Sequence, residues 1–234
     1  MVPGASAVGV AYPGAMPLLD AVVIEPTAPH TGSVVWLHGL GASGHDFEPV
    51  IPWLRRPDLR FVLPHAPERP VTINGGYVMP SWYDIRTLAA GPEREDDAQI
   101  AESAGLVRDL IAAEIARGIP SSRIALIGFS QGAALTLHTG LRHPEPLAGL
   151  GVLSGYLLVE DRIEREATEA NRATPLLFCH GTLDEVVSVS RGRKAHARMT
   201  GSGRSAEWHD WPMGHEVVGE EIEVIAGWLG RVLP

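Results

Sequence analysis

The sequence predicts an α/β protein with a mostly parallel, doubly wound sheet and helices on both of its faces. Three observations support this prediction. Short, continuously apolar runs recur along the chain, as is typical of strands that are buried on both faces. Stretches with apolar residues at helical spacing separate several of these runs. One run, which begins at Ile124, passes through a Gly-x-Ser-x-Gly turn at residues 128–132 into an Ala- and Leu-rich stretch suited to a helix.

The chain divides into a short arm and one domain. Residues 1–17 are rich in Gly, Ala and Pro and show no sustained period, which predicts a flexible N-terminal arm. Residues 18–234 contain no internal repeat and no linker-like stretch, so we expect a single α/β domain there. A Pro-rich stretch at residues 64–85 contains an Asn-Gly-Gly turn, which predicts a long loop with a short hairpin.

The remaining elements follow from local patterns, taken in chain order. Apolar runs predict an outer strand at residues 19–25 and further strands at 33–38, 60–63, 148–154, 176–180 and 206–211. Helical spacing or composition predicts helices at 47–54, from the acidic stretch 93–97 to about Gly118, at 191–200 and at 218–232. The highly charged stretch 159–172 predicts a solvated helix or loop.

Composition and charge exclude several classes of partner. There are 19 Lys and Arg against 28 Asp and Glu, a net charge of −9, which argues against nucleic-acid binding and against anionic membranes. The single cysteine, Cys179, cannot form an internal disulfide. The first residues lack the pattern of a secretory signal, and no apolar run reaches the length of a membrane span. We therefore expect a cytoplasmic protein without stable membrane insertion.

The turn at residues 128–132 is a candidate nucleophile elbow. Its strand-to-helix setting would hold the Ser130 hydroxyl above the sheet, and the flanking Gly128 and Gly132 would let strand and helix approach closely. The following helix would also offer its N-terminus to negative charge at that point. The alternative is that Ser130 is an ordinary helix N-cap.

A serine nucleophile needs a base, and the base needs an acid that orients it. After such an elbow the chain order is serine, acid, histidine. His215 lies in a loop just past a predicted strand, whereas His196 and His209 fall inside predicted elements and His180 precedes the expected acid. Asp184, in the loop after strand 176–180, is the acid that chain order and loop position favour. The alternatives are a surface histidine and a turn-forming aspartate.

Acyl transfer also needs hydrogen-bond donors for the oxyanion of the tetrahedral intermediate. One donor should be the backbone N–H of Gln131, directly after the nucleophile. The other should come from the glycine-rich loop at 38–41, where we expect the N–H of Leu40. The chain shows no metal-binding spacing and no phosphate-binding or dinucleotide-binding motif, so this chemistry is expected to need no metal and no other cofactor.

With these residues assigned, the chain resembles the carboxylesterase and acyl-protein thioesterase family of α/β-hydrolases, the phospholipase/carboxylesterase group. The matching blocks are LHGLGASGHD at 37–46, PHAP at 64–67, MPSWYD at 79–84, GIP at 118–120, GFSQG at 128–132, HGTLD at 180–184 and MGH at 213–215.

This resemblance implies an α/β-hydrolase fold with little or no cap domain, and a serine esterase that acts on carboxylic esters, thioesters or lysophospholipids. The family's triad falls on Ser130, Asp184 and His215, and its oxyanion hole falls on Leu40 and Gln131. Its acyl groove is similarly suggested at Trp82, Tyr156 and Val186, with plain packing as the alternative for these three. The substrate partner would be a small-molecule or acyl ester.

Two rival functions use the same residues differently. An acyltransferase would share the triad but pass the acyl group to an acceptor other than water. A binding protein could keep the hydrolase fold without turnover, although such a protein would be expected to have lost a triad residue. The prediction is therefore a serine hydrolase.

Overall fold

The computed structural model describes residues 18–87, 89 and 94–234. The arm predicted at residues 1–17 and the start of the acidic stretch 93–97 lie outside these described residues. The strands are β1 Ala21–Ile24, β2 Gly32–Leu37, β3 Leu59–Pro64, β4 Glu68–Val71, β5 Tyr77–Pro80, β6 Ile124–Phe129, β7 Gly149–Leu153, β8 Leu176–Gly181 and β9 Ala206–Trp211. The α-helices are α1 Asp97–Ala116, α2 Gln131–Leu141, α3 Ile163–Glu166, α4 Val189–Gly201 and α5 Gly219–Val232.

One central sheet organises the chain. Within the described residues this sheet has seven strands in the order β1-β3-β2-β6-β7-β8-β9, and β4 pairs with β5 in a separate hairpin. All neighbours in the central sheet are parallel except β1, which runs antiparallel to β3 at one edge. The predicted mostly parallel sheet is confirmed. The strand that carries the elbow, β6, lies in the middle, so the loops after β6, β7 and β8 meet at one edge of the sheet.

Two apolar layers cover the sheet. On β2, Val35 and Leu37 pack on one face with residues of α1, α2 and α4, while Val34 and Trp36 pack on the other with residues of α5. This alternation follows from the two-residue period of a strand. Burial of each such side chain contributes about 1.5–3 kcal/mol relative to exposure. The two packed layers therefore fix the strands whose ends carry the site.

Two elements differ from the sequence-based prediction. The stretch predicted as a helix at 47–54 is a 3-10 helix, Glu48–Leu54, because Pro49 and Pro52 have no N–H to donate to an α-helical ladder. The charged stretch 159–172 is not fully solvated. It forms α3 and two short 3-10 turns, and the buried Asn171 side chain bonds the Leu147 N–H and the His143 carbonyl.

The hairpin β4–β5 follows the predicted turn. Gly75 and Gly76 have φ values of 68° and 80°, a left-handed backbone that glycine adopts without a steric penalty. The end of the hairpin contacts the loop after β2, because the Pro80 carbonyl accepts a hydrogen bond from the Gly41 N–H at 2.8 Å. The hairpin thereby supports the segment in which the second oxyanion donor was expected.

The glycines beside Ser130 are required by close backbone approach. A Cβ on Gly128 would lie 2.3 Å from the Gly132 carbonyl oxygen, and a Cβ on Gly132 would lie 2.4 Å from the Leu37 carbonyl oxygen. Both separations are far below van der Waals contact. Helix α2 therefore packs on β6 and β2 only with glycine at these two positions.

Substitution of Gly132 with alanine is accordingly expected to destabilise the protein by about 3 kcal/mol or more, because the clashing atoms are backbone and cannot move aside. Chemical denaturation measures this change. The matched control is Gly105→Ala in α1, where the nearest atom to a new Cβ is a flexible Arg108 nitrogen 3.8 Å away. The control should gain up to about 1 kcal/mol from helix propensity. Equal stability of the two variants would contradict the packing argument.

Candidate active site

Ser130 stands at a strained turn between β6 and α2. Its backbone φ is 56° and its ψ is −118°, a conformation that non-glycine residues adopt only under constraint. The constraint is visible on both sides, because the Ser130 N–H bonds the Leu153 carbonyl at 2.8 Å and the Ser130 carbonyl accepts from the Ala134 N–H at 3.1 Å. The backbone has the geometry of a nucleophile elbow, with the hydroxyl at the N-terminus of α2.

His215 lies beside this hydroxyl, in the loop between β9 and α5. Its Nε2 is 2.8 Å from Ser130 Oγ, the distance at which a serine hydroxyl donates to an unprotonated ring nitrogen. The ring also packs against Phe129, with the two ring centroids 4.7 Å apart. Phe129, the residue before Ser130, therefore helps to hold the His215 ring in place, a contact that sequence reasoning missed.

Asp184 completes the chain of hydrogen bonds. Its Oδ2 accepts from His215 Nδ1 at 2.7 Å, and its Oδ1 accepts from the Val186 and Val187 N–H groups at 2.9 and 2.8 Å. The Asp184 side chain has no exposed surface. The carboxylate thus has one oxygen held by two backbone dipoles and the other directed to the imidazole, which fixes the Nδ1–H tautomer of His215.

The loops that carry Asp184 and His215 are in direct backbone contact. A Cβ on Gly181 would lie 2.3 Å from the Met213 and Gly214 carbonyl oxygens. The N–H groups of Thr182 and Leu183 bond the carbonyls of Trp211 and Met213 at 2.8 and 3.1 Å. The loop after β8 and the loop after β9 are therefore joined, which keeps Asp184 and His215 in register.

The loop at 38–41 is shaped by His38. The neutral ring serves two partners, because Nδ1–H donates to the Gly39 carbonyl at 2.7 Å and Nε2 accepts from the Ala66 N–H at 3.0 Å. Burial lowers the pKa of His38, which favours this neutral form. Among the described residues, the Leu40 N–H has no hydrogen-bond acceptor. The loop can therefore present that N–H to a ligand.

The Gln131 side chain ties the elbow to the segment that follows β5. Its Oε1 accepts from the Trp82 N–H at 2.9 Å, and its Nε2 donates to the Tyr83 carbonyl at 2.7 Å. The Trp82 indole N–H donates in turn to the His38 carbonyl at 2.9 Å. Trp82 therefore links the two backbone segments that carry the Leu40 and Gln131 amides. Sequence reasoning used only the backbone of Gln131 and missed this bridge.

The three residues suggested for an acyl groove lie in different environments. Trp82 is fully buried and Tyr156 is 3% exposed, whereas Val186 is 68% exposed. The Tyr156 hydroxyl lies 2.8 Å from the Tyr83 hydroxyl, and the Arg191 guanidinium carbon lies 3.6 Å from the Tyr156 ring centroid. Trp82 and Tyr156 thus pack among other protein groups, and a role for either of them in an acyl groove stays a prediction. Contact between substrate and Val186 stays a prediction.

Leu183, which sequence reasoning did not single out, is 64% exposed on the other side of Asp184. Leu183 and Val186 are thus both exposed apolar side chains on the loop that carries Asp184.

No group of three or more His, Cys, Asp and Glu side chains within residues 18–87, 89 and 94–234 is arranged to hold a metal ion. No helix in that same part of the chain is long and apolar enough to span a bilayer.

A mostly parallel sheet with a strained serine at a central strand-to-helix turn defines a serine hydrolase of the α/β-hydrolase fold. The sequence profile described as phospholipase/carboxylesterase matches residues 19–233. The chain belongs to this family, as the resemblance predicted.

Similar proteins are found among curated sequences and solved structures. The chain is 37% identical to acyl-protein thioesterase 1 of Yarrowia lipolytica over 92% of this chain and 97% of that protein. It is 36% identical to a probable carboxylesterase of Oryza sativa, over 91% of this chain and 82% of that protein. The crystal structure of Zea mays acyl-protein thioesterase 2 superposes with a TM-score of 0.80 at 28% identity, covering 92% of this chain and 99% of the other.

Proposed function

We propose that this protein is a serine carboxylesterase that hydrolyses carboxylic esters or thioesters with Ser130 as nucleophile, His215 as base and Asp184 as orienting acid. The observation that carries the proposal is the unbroken chain of hydrogen bonds from Ser130 Oγ through His215 to Asp184, with distances of 2.8 and 2.7 Å. The relatives named acyl-protein thioesterase and carboxylesterase support the substrate class. A cytoplasmic location stays a prediction.

In the acylation step, Ser130 Oγ attacks the carbonyl carbon of the ester while His215 Nε2 removes the hydroxyl proton. The resulting imidazolium is stabilised by the Asp184 carboxylate at Nδ1. The carbonyl oxygen becomes an oxyanion, which the Leu40 and Gln131 N–H groups would stabilise, each by about 3 kcal/mol. The N-terminus of α2 adds a favourable dipole at the same point.

Collapse of the tetrahedral intermediate expels the alcohol or thiol, which receives the proton from His215. A water molecule then takes the place of the leaving group. His215 removes its proton, the oxygen attacks the acyl carbonyl, and the second intermediate releases the carboxylic acid and restores the Ser130 hydroxyl. The proposed cycle thus consumes one water molecule for each ester or thioester, with Ser130 and His215 restored at its end.

Labelling and turnover together test this function. A fluorophosphonate probe should modify Ser130 in the intact protein, and p-nitrophenyl esters and acyl thioesters should be hydrolysed to the free acid. Adding an alcohol separates hydrolysis from acyl transfer, because an acyltransferase would give the new ester as its main product. Absence of labelling and of turnover with every ester and thioester would contradict the proposal.

Val186 is expected to contact the acyl chain. Replacing it with Asp should raise KM for an octanoyl ester about tenfold and leave an acetyl ester unaffected, because only the long chain would lose apolar contact, worth about 0.8 kcal/mol per methylene. A chain-length series of p-nitrophenyl esters measures this. Trp53→Asp is the control, since Trp53 is equally exposed but lies against α5. Equal effects on the acetyl and octanoyl esters would show that Val186 does not contact the acyl chain.

A further inference from the structure

His180 lies next to Asp184, the acid of the proposed triad. It belongs to β8 and is only 1% exposed. Its ring stacks on Trp208 with a centroid distance of 6.1 Å and an interplanar angle of 15°. On another side it meets α4, where a Cβ on Gly192 would lie 2.3 Å from Nδ1. The ring is therefore confined to one position, and α4 leaves room for it only because residue 192 is glycine.

The hydrogen bond made by this ring reaches the acid loop. His180 Nε2 is 2.8 Å from the Val187 carbonyl oxygen, and a carbonyl can only accept, so Nε2 carries the proton. The N–H of the same Val187 donates to Asp184 Oδ1 at 2.8 Å. Val187 is thus hydrogen-bonded to His180 through its carbonyl group and to Asp184 through its amide.

Asp184 lies between two histidines. Its Oδ2 is 2.7 Å from His215 Nδ1 and 3.6 Å from His180 Nε2. Burial lowers the pKa of His180, against the opposing effects of the Val187 carbonyl and the Asp184 charge. The other ionisable groups that act on His180 are His215, Arg193 and Asp210, its partner on β9. A neutral His180 leaves the negative charge of Asp184 uncompensated, and that charge is what stabilises the His215 imidazolium.

We propose that His180 is a positioning residue for the reaction. Its Nε2–H holds the Val187 carbonyl, which sets the Val187 amide on Asp184 Oδ1 and leaves Oδ2 to His215. The proposal rests on the function proposed above. It assigns His180 no contact with substrate, and it explains why a histidine weighed as a possible base is bonded instead to the acid loop.

Two substitutions separate positioning from packing. In His180→Gln the side-chain amide can reach the place of Nε2 and restore the donor, whereas in His180→Asn the amide is one bond shorter and cannot. Both lose the ring that stacks on Trp208, so both should lose similar thermal stability. We expect kcat to fall about 30-fold in His180→Asn with an unchanged KM for an acetyl ester, and to stay within about threefold in His180→Gln.

The control is His196→Gln. His196 also packs on Trp208, with centroids 5.6 Å apart, and its Nε2 is 3.1 Å from the Ala206 carbonyl oxygen; in the described part of the chain, no hydrogen bond or ring contact joins it to Asp184. This variant should keep full activity. Equal losses of kcat in the Gln and Asn variants of His180, or none in the Asn variant, would overturn the proposal. Failure of the proposed function would show differently, as a wild-type protein that is inert and unlabelled at Ser130.

A measurement on the unmodified protein remains decisive if neither variant folds. Nitrogen-15 NMR of the histidine rings should show His180 as a neutral imidazole with its proton on Nε2 throughout the pH range of activity. A His180 proton on Nδ1, or titration of the ring within that range, would show that a hydrogen bond from His180 to Val187 does not position the loop that carries Asp184.

Discussion

Ser130→Ala is expected to lower kcat for an acetyl p-nitrophenyl ester by about 10⁴-fold or more and to leave the fold intact. The substitution removes the only atom that would form the covalent bond to the acyl group. It leaves the backbone bonds of the elbow, from the Ser130 N–H to Leu153 and from Ala134 to the Ser130 carbonyl. Single-turnover and steady-state assays at matched protein concentration measure the loss.

Ser154→Ala is the matched control for this variant. Ser154 follows β7, which pairs with β6, is fully buried and, like Ser130, has a positive φ, of 49°, so the same atom is removed from another serine with a positive φ. Its activity should stay within a few-fold of the wild type, and a fluorophosphonate should label this variant but not Ser130→Ala. Turnover by Ser130→Ala near the wild-type rate would exclude Ser130 as the nucleophile.

The sequence-based prediction of the site rested on the order of the residues along the chain and on the positions of the strand ends. Ser130, Asp184 and His215 each follow a strand, and in a parallel sheet those strand ends share one edge. Local signals could therefore place all three side chains in the same region without any knowledge of their packing. The structure brings them within hydrogen-bond distance of one another.

Features that depend on three-dimensional packing could not be predicted in the same way. Trp82 and Tyr156 carry no local pattern that distinguishes a groove wall from a core residue, and their burial depends on partners such as Gln131 and Arg191 far away in the chain. His180 was visible as a histidine near Asp184. Its hydrogen bond to Val187, however, depends on how the loop after β8 turns back, which spacing alone does not specify.

Asp184→Asn tests the orienting acid and is expected to lower kcat by about 10³–10⁴-fold with little change in KM. The amide oxygen can still accept from the Val186 and Val187 N–H groups, which leaves the amide NH₂ facing His215 Nδ1. An NH₂ group donates, so the imidazole would have to accept at Nδ1 and carry its proton on Nε2. In that tautomer His215 points an N–H at Ser130 and cannot remove the serine proton.

A second variant distinguishes this effect from a general loss of negative charge near the site. Asp210→Asn removes a carboxylate that lies on β9 and bonds Arg193 and the Trp208 indole N–H instead of a catalytic group. We expect kcat to stay within about twofold of the wild-type value. An exposed ion pair contributes at most about 1 kcal/mol to stability, and the Asp210 carboxylate contacts none of the reacting atoms. Similar losses in both variants would mean that charge near the strand ends, and not the tautomer of His215, limits the reaction.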